Sequence, residues 1–171
     1  MTKLSYRAKN FAQRVHRTQV RKYTGLPYAV HLQEVAGLCQ EVGCRDEVIA
    51  AAWLHDCKED QAVTDIQLRE LFGYEVARLV DEVTDRSRPE DGKRAKRKEL
   101  DRLHNANASP EGKTIKLADL ISNSKDIVAH DPHFAVTYMR EKELLLPLLT
   151  EGNAELWKRA KIILDLYNKG K

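Results

Sequence analysis

The chain has 171 residues, 42% of them apolar and 32% charged, with a formal net charge of +3. That composition suits one globular domain over residues 1–171 with a core of its own, and excludes a disordered or collagen-like chain. No apolar run nears the ~18–20 residues of a membrane span, the N-terminus has no signal-like apolar stretch, and so small a charge does not demand a nucleic-acid partner.

The three cysteines, Cys39, Cys44 and Cys57, form no C-x-x-C pair and cannot all pair with one another. A reducing compartment, the cytoplasm, is the expectation. Eight Gly and five Pro separate long stretches in which apolar residues recur at helical spacing. Leu4, Ala8, Phe11 and Val15 predict a basic amphipathic first helix ending near Lys22. Gly25-Leu26-Pro27 is a turn, and Pro27 is placed to start a helix at its first position. In that helix Tyr28, His31, Leu32, Val35 and Leu38 share a face, and Gly43 stops it. Asp46 is the expected cap of a helix over residues 47–58. Thr64 and Asp65 cap residues 66–71, Gly73 breaks the chain, and residues 74–84 turn Val76, Leu79, Val80 and Val83 inward. Residues 86–102 crowd Lys and Arg together, either as a solvated helix face or as a basic rim for a polyanion. After a turn at residues 109–112, helices are predicted over 113–129, 134–149 and 153–168. There is no alternating strand pattern and no internal repeat, so the predicted fold is all-α.

The stretch Trp53–Asp60 reads W-L-H-D-C-K-E-D. His55 and Asp56 offer a divalent ion an imidazole nitrogen and a carboxylate oxygen. Glu59 and Asp60 follow at i+4 of each, about 5–6 Å away on a helix side. They suit a second ion, a held water, or general acid and base. His31 lies near the start of an earlier helix. Asp119 follows Leu117-Ala118 in an otherwise apolar segment, where an unpaired charge is costly. Two His and two Asp from three helices would satisfy one another through a metal.

The order His31 … His55-Asp56 … Asp119 resembles the H…HD…D signature of the HD-domain metal-dependent phosphohydrolases. In detail it is most similar to the RelA/SpoT hydrolase domain and to the stand-alone small alarmone hydrolases of the Mesh1 type. Gly25-Leu26-Pro27-Tyr28 before His31 resembles that group's G-x-P-Y-x-x-H, and residues 55–60 its H-D-x-x-E-D. Residues 71–84 resemble its F-G-x-x-V-x-x-L-V-x-x-V-T segment. Lys116-Leu117-Ala118-Asp119 with Asn123 resembles K-L-A-D-x-x-x-N. The sequence departs from the group's pattern at Val30, Leu32 and Ser122, none of which is expected to touch the ligands.

The resemblance implies a helical bundle holding one Mn²⁺ with His31, His55, Asp56 and Asp119. It implies hydrolysis of the 3′-pyrophosphate of ppGpp or pppGpp to pyrophosphate and GDP or GTP, with Glu59 and Asp60 catalytic. A divalent ion lowers the pKa of bound water and polarises a phosphoryl oxygen, which suits that reaction. Arg21 and Lys22 resemble the basic pair beside the guanine ring, and Tyr28 belongs to the matched motif. Lys116 either faces the phosphates or snorkels to solvent. Asn123 suits ribose or phosphate, and Tyr138 suits either the nucleotide or the core. Cys57 is expected to be a buried filler whose neighbouring carboxylates raise its pKa. The expected partner is a small-molecule nucleotide, with no nucleic acid and no membrane, and a homo-oligomer is compatible with the sequence. No synthetase domain is expected after the last packed helix. Competing readings are another HD phosphohydrolase activity, such as removal of a phosphate from NADPH, and a non-catalytic nucleotide-binding HD module. The first would differ in its base and phosphate pocket, and the second has no need of the acidic pair.

Overall fold

A computed structural model describes residues 2–170. Among them every regular element is helical, and the only extended pairing is an isolated bridge between Val20 and Pro27. The helices are α1 (Lys3–Val15), α2 (Ala29–Glu41), α3 (Asp46–Leu54), α4 (Cys57–Asp60), α5 (Asp65–Phe72), α6 (Tyr74–Val83), α7 (Arg94–Ala106), α8 (Pro110–His130), α9 (Pro132–Leu145) and α10 (Ala154–Lys169). None is long and apolar enough to cross a membrane.

Helix α3 is the apolar centre. All of Val48 to Leu54 is buried, with α1 and α2 packed on it from one side and α6 from another. Helix α8 lies beside it and also contacts α2, α6, α7, α9 and α10. Each fully buried leucine on these two helices, such as Leu54 or Leu117, contributes about 1.5–3 kcal/mol. Small residues let α3 and its neighbours approach closely, as at Ala50, Ala51 and Ala52. Gly152 serves the same end before α10, because a Cβ there would meet Leu117 Cδ1 at 2.8 Å and the backbone of α8 at 3.1 Å.

Side-chain caps mark half of the helix starts. The Thr64 hydroxyl accepts from Gln67 N at 3.2 Å and caps α5 as the sequence suggested. Ser109, Asp131 and Asn153 cap α8, α9 and α10 in the same way.

Several boundaries differ from the sequence reading, and the cap of α3 is Arg45, with Asp46 already its first helical residue. The first helix stops at Val15, well before residue 22, because the chain turns back to pair Arg21 N with the Leu26 carbonyl at 2.8 Å. Gly25 closes that turn at φ +67°, a conformation unfavourable to other residues. Helix α2 begins at Ala29, beyond Pro27, which is spent on the bridge to Val20. The segment expected as one helix over 47–58 is broken at His55 and Asp56 into α3 and α4. In addition, α9 ends at Leu145 and passes into a 3₁₀ turn, Leu146–Leu149, where Pro147 cannot donate to an α-helical ladder.

Candidate metal and phosphate site

Four side chains from α2, the α3–α4 break and α8 converge at the centre of the bundle. His31 Nε2 lies 3.5 Å from Asp56 Oδ2 and 3.3 Å from Asp119 Oδ1. His55 Nε2 lies 3.1 and 3.7 Å from the same two oxygens. Ligands about 2.1 Å from a shared ion stand roughly 3.0–3.4 Å from one another, so these separations suit one cation. The break between α3 and α4 matters here, because it turns His55 and Asp56 inward together from adjacent positions.

The hydrogen bonds of the imidazoles support the same conclusion. His55 Nδ1–H donates to the Ala52 carbonyl at 2.8 Å. His31 Nδ1 lies 2.9 Å from Ser122 Oγ, whose own proton goes to Glu34 Oε2 at 2.6 Å, so His31 Nδ1–H is the donor. Both Nε2 atoms therefore present lone pairs, and both are buried without a hydrogen-bond partner. Burial opposes charge on every one of these groups, but their mutual attraction wins. Asp56 and Asp119 are held well below the usual carboxylate range, the first by His55 and His31, the second by Lys116 and both imidazoles. The histidines are raised by the same carboxylates. A pocket that draws positive charge onto two orphaned imidazole nitrogens fits a divalent metal.

Ser122 thus touches a proposed ligand, contrary to the sequence expectation. With Glu34 it forms an outer layer around His31 that sequence reasoning missed. Another such layer holds Asp119. Asn123 Nδ2 donates to Asp119 Oδ1 at 2.6 Å, and Arg21 donates to Asn123 Oδ1 at 3.0 Å and to Asp126 Oδ2 at 2.7 Å. Arg21 is buried, so in this structure it and Asn123 buttress Asp119. Tyr28 likewise donates its hydroxyl to Asp56 Oδ2 at 2.7 Å, with its ring stacked on His16.

The acidic pair splits across the mouth of the site. Glu59 Oε1 accepts from Asp85 N at 2.5 Å, whereas Asp60 Oδ2 accepts from Gln19 Nε2 at 2.7 Å. Glu59 is exposed as a residue, yet its carboxyl sits against the Asp85 backbone and is partly desolvated there. That desolvation outweighs the pull of Lys116 and, with Asp85 and Asp56 nearby, pushes its pKa up to about 7. Lys116 bridges Asp119 (3.5 Å) and Asp85 (3.7 Å), which keep it charged despite burial. Asp85 had no sequence signal, since it follows α6 in an irregular segment. Lys22 points away from Arg21. It is exposed, 3.6 Å from Asp131 and over the rings of Tyr23 (4.7 Å) and Phe134 (5.9 Å). Tyr138 is buried with its hydroxyl unpartnered, beside Phe134 at 6.1 Å between ring centroids. Cys57 is fully buried, and burial followed by Asp56 and Asp60 raises its thiol pKa, as expected of a filler.

An all-helical bundle with two His and two Asp around one point, and an acid a turn further on, defines a class of metal-site phosphohydrolase. Residues 8–143 match the HD domain family. The chain belongs to that family. Human guanosine-3′,5′-bis(diphosphate) 3′-pyrophosphohydrolase MESH1 is 41% identical over 124 residues, which cover 70% of this chain and 67% of that protein. A probable GTP diphosphokinase of Arabidopsis thaliana, chloroplastic RSH3, is 33% identical over 153 residues, 86% of this chain. This chain spans only 21% of the length of that plant protein, and 10% of a GTP pyrophosphokinase from Myxococcus xanthus. The solved structure of a metazoan SpoT orthologue, described as hydrolysing ppGpp and acting in starvation responses, superposes with a TM-score of 0.87. It is 27% identical and covers 98% of this chain and 97% of its own.

Proposed function

We propose that this chain hydrolyses the 3′-pyrophosphate of a guanosine alarmone, ppGpp or pppGpp, releasing pyrophosphate and GDP or GTP. The observation that carries the reading is the cluster of His31, His55 and Asp56, with Asp119 beside both histidines, two unpartnered Nε2 lone pairs, and Glu59 and Asp60 one turn after His55 and Asp56. The names of the human relative and of the metazoan neighbour support the substrate.

The four ligands would hold one divalent ion, and imidazole mixed with carboxylate suits Mn²⁺. When bound, such an ion supplies a Lewis acid for the phosphoryl oxygens and acidifies water. The chain's own groups do the rest. Glu59, poised near neutrality, takes a proton from the attacking water. The water oxygen bonds to the phosphorus on the 3′-oxygen, the bond from phosphorus to that oxygen breaks, and the nucleotide leaves with a 3′-hydroxyl after protonation. One water is consumed. Asp60, held by Gln19, orients the water from the opposite side. Arg21 and Asn123 keep Asp119 in position, and Tyr28 does the same for Asp56. The ring faces of Tyr23 and Phe134, with Lys22 above them, suit a purine. Three free thiols are consistent with the cytoplasm as the working compartment.

The test is turnover of ppGpp by Mn²⁺-loaded protein. Glu59→Gln should keep the metal and lose at least about a hundredfold in kcat. Full activity in that variant would remove Glu59 from the mechanism.

A further inference from the structure

A cavity of about 480 Å³ opens between α7, α9 and the first half of α8, next to the metal site. Lys116 belongs to both, because it lines the cavity and pairs with Asp119. Six cations line it: Arg94, Lys98, Arg102, Lys116, Arg140 and Lys142. Its three carboxylates are already committed. Glu141 takes Arg94 through two bonds of 2.7 and 2.9 Å, and Lys98 reaches Asp85 at 2.6 Å and Asp101 at 3.1 Å. Among the described residues, Arg102, Arg140 and Lys142 have no carboxylate within ion-pair distance. Lys142 is half-buried over the Tyr138 ring at 4.7 Å. Burial first and then Lys116 push its pKa down to about 8, against the pull of Asp119 and Asp85, neither of which is close enough to pair with it.

The cavity has a direction relative to the metal ligands. Along α8 the order is Asn123, Asp119, Lys116, a span of about 10 Å at 1.5 Å per residue. Helix α9 carries a matching row, Phe134, Tyr138 and Lys142, each four residues from the last and so on one face. Aromatic rings lie at one end of the two rows and the cations Lys116 and Lys142 at the other, with Asp119 between them. A nucleotide laid along this track with its ring at Phe134 and its 3′-phosphorus at Asp119 sends the next phosphate toward Lys116 and Lys142.

We propose that this cavity is the subsite for the terminal phosphate of the substrate's 3′-pyrophosphate, and that Lys142 and Arg140 make the chain select a pyrophosphate over a single phosphate. The proposal rests on the hydrolase reading above and goes beyond it by assigning specificity to α9. Charge-assisted hydrogen bonds from two otherwise unpaired cations suit a group carrying several negative charges.

The experiment uses the full chain with Lys142→Ala, Arg140→Ala and the double variant. Arg140 is exposed, so its loss leaves the core intact. Calorimetry with inorganic pyrophosphate and with orthophosphate reads the subsite without turnover, in metal-free and Mn²⁺-loaded protein. Pyrophosphate binding should weaken about tenfold in the double variant, and orthophosphate binding should change less than twofold. In kinetics, the preference for ppGpp over the same nucleotide with a single 3′-phosphate should fall about tenfold, mainly through KM. Guanosine 3′-diphosphate without 5′-phosphates should show the same loss. Unchanged pyrophosphate binding in the double variant would overturn the proposal. So would a loss confined to substrates bearing 5′-phosphates, which would assign the cavity to the other arm. If the pyrophosphate effect appears but ppGpp is not hydrolysed, the subsite stands and the substrate reading fails.

Discussion

Ser122→Ala isolates the outer layer around His31. The serine hydroxyl accepts from His31 Nδ1–H at 2.9 Å and donates to Glu34 at 2.6 Å. Removing it leaves the imidazole proton without an acceptor at a residue only 1% exposed. A buried donor left unmade costs about 1–3 kcal/mol, and the ring can escape that cost by moving its proton to Nε2. There the proton occupies the lone pair a metal needs. Either outcome lowers metal affinity, and 1–3 kcal/mol corresponds to about 5- to 160-fold, in line with the 10–100-fold typical of such outer-shell losses. Competition titration of Mn²⁺ against a chelator measures it directly. Glu34→Gln keeps an oxygen to accept from Ser122 and should lose less than about fivefold. Ser122→Ala protein that binds Mn²⁺ as wild type does would refute the assignment of donor and acceptor along this relay.

Arg21→Ala should weaken Mn²⁺ binding by about tenfold, because Asn123 loses the partner that aims it at Asp119; an effect on nucleotide KM alone, with metal binding intact, would return Arg21 to direct substrate contact. The pH profile follows from Glu59, the proposed base, whose carboxyl is raised to about 7. Only its ionised form takes a proton, so kcat/KM should climb from pH 5.5 and level off above about pH 7–8, and Glu59→Gln should flatten that limb. Its effect on folding has its own sign. An acid whose folded pKa exceeds its unfolded value favours the folded state at low pH and loses that contribution as pH rises toward 7. Gly152→Ala should destabilise the fold by about 1–3 kcal/mol by urea titration, since its Cβ would meet Leu117 and the α8 backbone, and unchanged stability would mean that α8 and α10 can separate.

The helical class and the His55-Asp56 cluster were legible because each rests on short-range pattern, whereas His31 and Asp119 were joined to it only through the ordered motif blocks that resemble a family. Apolar periodicity marks a helix, and His55-Asp56 with Glu59-Asp60 fits within a few residues. The supports of those side chains were not legible. Glu34 and Ser122 are 88 positions apart, and Arg21 and Asn123 are 102 apart, so no local spacing announces either pair. Ser122 is a neutral departure from a family pattern by sequence, yet it sets the tautomer of His31. Arg21 had two features that mislead: a basic side chain beside a turn reads as exposed, and the helix reading through residue 22 hid the backward loop that buries it. The break at His55 was hidden by strong helix-forming residues on both sides, since tertiary packing around His55 and Asp56 overrides propensity there. The basic run over 86–102 was left between a solvated face and a rim. In the structure Arg94, Lys98 and Arg102 line the cavity, while Lys93 and Lys96 remain exposed.

The central claim is the bond that breaks. Phosphorus NMR of Mn²⁺-loaded protein with ppGpp, in a parallel series with EDTA, reads it most directly. The expected result is pyrophosphate and GDP in equal amounts, abolished by the chelator. Orthophosphate as the sole released anion, or an intact ppGpp beside rapid dephosphorylation of NADPH, would contradict it.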